Sequence, residues 1–170
     1  QPEAREEIAT TFHRFRRGLG IEKDPAEYGA FPTDAYSHTP AHAGAQQPGM
    51  TGQVKEDILI RLTELGVRIE NGEIHFDPNH LQASEFLDTP TVWTLPGDNG
   101  EDIRLDLPAD SLAYTFCQVP VVYYRGRGRT GIRVLNGEPF ESRETRVPAA
   151  ISREIFNRTG SVKRIEVDLD

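Results

Sequence analysis

The sequence predicts an α+β protein: two N-terminal helices and a long ordered loop, followed by a mainly antiparallel β-sandwich. Three observations carry this. Apolar residues recur at helical spacing in two stretches before Gly66, the period falls to two after it, and short alternating runs then follow one another between Gly, Asn, Asp and Pro turns. The expected division is a helical segment, 1–66, and a strand-rich domain, 67–170.

The first helix is expected over 2–18. Pro2 suits a first turn, Glu3, Glu6 and Glu7 lie at its positive end, and Arg14, Arg16 and Arg17 precede Gly18 and Gly20 at its negative end. Ile8, Phe12, Phe15 and Leu19 form one apolar stripe that should pack, with His13 and the arginines pointing away from it. Between 20 and 50, Pro25, Pro32, Pro40 and Pro48, with Gly29, Gly44 and Gly49, exclude a helix or long strand. A stretch this long without regular structure is more often functional or a linker than accidental, and its aromatic and polar side chains are too many for a flexible spacer.

The second helix begins near Thr51, carries Val54, Ile58, Leu62 and Leu65 on its buried face, and ends at Gly66 as a glycine cap. Lys55, Glu56, Asp57, Arg61 and Glu64 read as its solvated face. Asn71-Gly72 then marks a tight hairpin between Val67/Ile69 and Ile74/Phe76. Further strands are expected at Thr91–Leu95, Ile103–Leu107, Leu112–Tyr124 with a break at Pro120, Ile132–Leu135 and Ile165–Leu169. A short helix is expected over Ala149–Asn157, with Gly160 behind it. Strand spacing alone fits a sandwich or a barrel.

Charge narrows the functional classes. Nineteen Lys and Arg against 27 Asp and Glu give a formal charge of −8, which argues against a nucleic-acid or anionic-membrane surface. No run approaches the roughly 18 apolar residues of a membrane helix, and residues 1–20 have no signal-peptide core. The compartment stays open, with the cytoplasm the slightly better fit. The chain begins with Gln1 and reads as a piece of a larger polypeptide. The single cysteine, Cys117, allows no internal disulfide and reads as a small buried hydrophobe.

The candidate ligand site is the loop 31–52. Gly49-Met50-Thr51-Gly52 runs into a helix start, gathering free N–H groups, a hydroxyl and two glycines that permit close approach, an arrangement suited to phosphate or a sugar hydroxyl. Tyr36, His38, His42, Gln46 and Gln47 precede it, so the expected binding set is these five with Thr51 and Gly52. The local sequence at Thr51 also fits an ordinary helix cap. Pro40 between His38 and His42 denies them the one-turn helical geometry of a metal pair, so neither metal nor cofactor is expected. Arg125-Gly-Arg-Gly-Arg129 reads as a charged hairpin tip, and Trp93, Tyr114, Tyr123 and Tyr124 as strand packing residues.

The order of elements, with Met50-Thr51-Gly52 opening the second helix and Leu112-Ala-Tyr-Thr-Phe-Cys-Gln-Val-Pro120 in the strand region, resembles the C-terminal end of an (α/α)-barrel glycoside hydrolase or glycoside phosphorylase. The resemblance implies that 1–66 ends a helical barrel, that 67–170 is the sandwich behind it, and that residues 31–52 line a sugar or phosphate pocket with the Thr51-Gly52 step on phosphate. It places the catalytic carboxylate outside this chain. The expected function is therefore the C-terminal part of a carbohydrate-active enzyme. The alternative is a non-catalytic β-sandwich binding or interaction module of a larger protein.

Overall fold

A computed structural model describes residues 7, 8, 10–13, 51–97 and 100–169, with the backbone alone for 51–57. The chain divides into two compact units, Gln1–Leu62 and Thr63–Asp170.

In the first unit, residues 7, 8 and 10–13 are helical, and the remainder of the expected 2–18 helix lies outside the described residues. Ile8 departs from the expected buried stripe, with 60% of its surface exposed. Helix α1, Thr51–Glu64, starts where the sequence places it. Its expected apolar face is only partly realised. Ile58 is exposed, Leu62 is half-buried and Leu65, just past the helix, is buried, whereas Val54 lies outside the described side chains. Glu64 reverses its expected solvated position and is fully buried.

Gly66 follows in the left-handed region at φ 68° and turns the chain into the strands. Its N–H donates to the Thr63 carbonyl, and its own carbonyl accepts from the Asp77 N–H at 2.9 Å. A Cβ on Gly66 would lie 2.1 Å from the Asp77 carbonyl carbon, so only glycine fits.

Strands β1 (Val67–Glu70) and β2 (Glu73–Phe76) form the expected hairpin. Asn71 and Gly72 both have positive φ, the conformation that an Asn-Gly two-residue turn supplies at low cost. Ile74 and Phe76 point into the core. Strand β9 (Arg146–Val147) joins the other edge of β2 and is followed by α2 (Ala149–Phe156). From α2, the fully buried Ser152 hydroxyl accepts from the Ile74 N–H and donates to the Val147 carbonyl, so no buried polar group there is left unmatched. The helix ends in a Schellman arrangement: the Arg158 N–H donates to Ile155, and the Thr159 N–H to Glu154. The left-handed residue is Arg158 at φ 52°, where the sequence suggests Gly160 as the stop.

The larger sheet has five strands in the order β5-β6-β10-β7-β8, comprising β5 (Ser111–Phe116), β6 (Val119–Tyr124), β7 (Thr130–Leu135), β8 (Phe140–Ser142) and β10 (Arg164–Leu169). One expectation is corrected here. The chain reverses at Cys117-Gln118, whose φ values are 49° and 70°, and Pro120 sits inside β6. Pro120 opposes Thr115, one step from the hairpin end, where its missing N–H faces away from β5, and pairing to β10 starts only at Val121. Cys117 therefore occupies a turn, half-buried against the core, and is not a strand core residue. The sheet is mainly antiparallel, as expected, with one parallel pair: β10 runs parallel to β6 while pairing antiparallel to β7. The architecture is thus α+β, dominated by antiparallel strands.

Alternation sorts the side chains of β6 to two faces. Val119, Val121 and Tyr123 join Ile132, Val134, Ile165 and Val167 in a core shared with Ile74, Phe76, Val147 and Ile155. Val122 and Tyr124 face the other way, under Leu107, Leu105 and Trp93 of the hairpin formed by β3 (Thr91–Pro96) and β4 (Asp102–Leu107). With both faces covered, β6 is buried throughout. Tyr123 sits at the centre, donating its hydroxyl to the Leu65 carbonyl and accepting from Tyr114 at 2.8 Å. Burial pushes its phenol well above the usual tyrosine range.

Candidate functional site: an arginine-lined cleft

Beyond the area under the β3–β4 hairpin, the outer face of the large sheet becomes charged. Arg164, Glu166 and Asp168 of β10 alternate with the buried Ile165 and Val167, and Arg133 of β7 and Glu141 of β8 continue the charged face. The insertion of β10 between β6 and β7 has a further effect. The connection Arg125–Arg129 cannot be the expected hairpin tip, because the strands it joins are not neighbours. It crosses the end of β10, where Tyr124 pairs with Asp168 and Thr130 with Leu169. Gly126 and Gly128, at φ 71° and 67°, supply the reversals that so short a crossing needs.

Asp168 lies beneath this crossing, with its side chain 11% exposed. Its two oxygens receive different arginines: Oδ1 accepts from Arg127 Nη1 at 3.2 Å and Oδ2 from Arg129 Nε at 2.6 Å. Burying a carboxylate is costly without such compensation. Arg127 is held in turn over the Tyr124 ring, its guanidinium carbon 3.4 Å from the ring centroid. Arg125 turns away, pairing with Asp110 at 2.7 Å and lying over Phe86.

Beside Asp168 opens a cleft of about 590 Å³. It is lined by Asp168 of β10, by Arg129 and residues 130–133 of β7, and by Glu141, Ser142 and Arg143 at the end of β8. A Cβ on Gly131 would stand 2.5 Å from the Ser142 carbonyl oxygen, so the absence of a side chain lets β7 and the end of β8 approach. Arg133 Nε pairs with Glu141 Oε1 at 2.8 Å. Arg143 has neither an ion-pair nor a hydrogen-bond partner among the described residues. Arg129, Arg133 and Arg143 thus stand against Asp168 and Glu141 in the lining, a positive locality in a chain of net charge −8.

Of the sequence-predicted site, Tyr36, His38, His42, Gln46 and Gln47 lie outside the described residues. Thr51 and Gly52 form the first turn of α1, and their side chains also lie outside the described set. Arg133, Glu141, Arg143 and Asp168 were not singled out by the sequence. The available signals were Gly131 inside a strand pattern, which marks close backbone approach, and the Arg-Gly alternation just before it. No group of three or more His, Cys, Asp and Glu placed to hold a metal occurs among the described residues, nor does a helix long and apolar enough to cross a membrane. No family model matches the chain, and no curated protein matches it.

Proposed function

We propose that residues 63–170 form a non-catalytic binding module with a sandwich-like core, and that the arginine-lined cleft is its ligand site. The cleft itself carries this reading: it is open, and its two carboxylates are each tied to arginine, Asp168 to Arg127 and Arg129 and Glu141 to Arg133. Such carboxylates orient guanidinium groups and are poorly placed to shuttle protons. The sandwich-like description is supported by the core common to the β1-β2-β9 sheet and the five-stranded sheet. Calorimetry of the 170-residue chain against charged and neutral saccharides tests the reading. Binding without turnover supports it, whereas hydrolysis or phosphorolysis by this chain refutes it.

A second reading, a carbohydrate-active enzyme in which residues 31–52 line a sugar or phosphate pocket, is favoured by one observation: a helix does open at Thr51. Loss of saccharide or phosphate binding in Gly52→Val with unchanged melting would support that reading, and intact binding would remove it.

A further inference from the structure

We propose that the cleft recognises a tetrahedral oxyanion, a phosphate or sulfate group carried on a small hydroxylated molecule, gripped by Arg129, Arg133 and Arg143. The proposal rests on the reading of the cleft as the ligand site and names its ligand class.

Three observations point to this chemistry. The ion pairs of Arg129 with Asp168 and of Arg133 with Glu141 both run through Nε, at 2.6 and 2.8 Å. A carboxylate on Nε fixes the guanidinium plane and directs terminal N–H groups away from itself, as a fork for a second anion. Arg143 adds a third cation with no protein partner among the described residues.

The local charge is the second observation. Three arginines of the lining, Arg129, Arg133 and Arg143, against Asp168 and Glu141 leave a surplus of one positive charge. An anionic ligand balances that surplus, and a phosphate monoester, at about −1.5 to −2 at neutral pH with three acceptor oxygens, engages three arginines more fully than a single carboxylate does. Exposed pairs such as Arg133–Glu141 contribute little to folding, so stability alone gives little reason to hold Arg133 in this way.

Size is the third. At about 590 Å³ the cleft far exceeds a bare oxyanion and falls within the usual range for small-molecule sites. The hydroxyls of Thr130 and Ser142 in its lining suit a hydroxylated carrier.

The test is calorimetry of the 170-residue chain in low-salt, phosphate-free buffer with glucose 6-phosphate, glucose 6-sulfate, glucose and glucuronate. The two oxyanion esters should bind, and their relative affinity tells phosphate from sulfate. Glucose and glucuronate should bind at least about ten-fold more weakly. Arg133→Ala and Arg143→Ala should each weaken the better ester by about ten-fold with unchanged circular dichroism, while Arg68→Ala, on exposed β1, leaves it unaltered. If glucose or glucuronate binds as well as the esters, the module reading stands and the oxyanion proposal falls. Absence of binding by all four compounds overturns both. Ester binding that is insensitive to Arg133→Ala and Arg143→Ala, or equally reduced by Arg68→Ala, overturns the proposal.

Discussion

Arg129 reaches across the end of β10 to place its Nε 2.6 Å from Asp168 Oδ2, a contact between residues 39 positions apart that exists only because the last strand inserts between β6 and β7. The same carboxylate holds Arg127 through its other oxygen, so one nearly buried aspartate ties down two of the three arginines of the crossing connection. Asp168→Asn keeps the volume but gives up the charge, and should cost about 1–3 kcal/mol in urea unfolding. A cost near zero would mean that the crossing is ordered without it.

Gly66 should tolerate no side chain. Gly66→Ala must place a residue at φ 68° and also push its Cβ against the Asp77 backbone, 2.1 Å away. The expected loss is above about 2 kcal/mol, read as a lower melting temperature.

The opposite sign is expected at Arg158, which occupies the left-handed position of the α2 Schellman turn at φ 52°. Arg158→Gly removes the Cβ penalty and should stabilise the protein by about 0.5–1 kcal/mol, the greater freedom of glycine in the unfolded chain offsetting part of the gain. Chemical denaturation of the two proteins checks the sign.

Tyr123 links folding to alkaline pH. Its phenol is raised above the ordinary value of 10.0, chiefly by burial. Above pH 10 the unfolded chain therefore releases a proton that the folded chain keeps, and stability falls as pH rises. Tyr123→Phe should remove part of that alkaline decline. At neutral pH it should cost about 1–3 kcal/mol, because the Leu65 carbonyl loses its donor and the Tyr114 hydroxyl its acceptor. Unfolding midpoints measured from pH 8 to 12 separate the two effects.

What the sequence made legible was local. Asn71-Gly72 specifies its turn through two residues that accept positive φ, Gly66 marks a helix end, and the 151, 152, 155 spacing of buried and half-buried residues in α2 follows the helical repeat. Cys117-Gln118 makes the same kind of two-residue turn without a residue that advertises it, so the nearby Pro120 drew the break instead. Strands β8 and β9, three and two residues long, are too short for any period to register. Ile58 shows that helical spacing does not guarantee burial. The cleft was hidden for a topological reason: Arg129, Arg133, Arg143 and Asp168 share no local pattern and meet only through the non-local placement of β10.

Arginine Nε–Hε resonances of the 170-residue chain, followed by NMR during titration with glucose 6-phosphate, test the central claim most directly. The account predicts saturable shifts at Arg129, Arg133 and Arg143, accompanied by the Thr130 and Gly131 amides that line the same cleft. Shifts confined to residues 36–52, with these arginines unmoved, would contradict it.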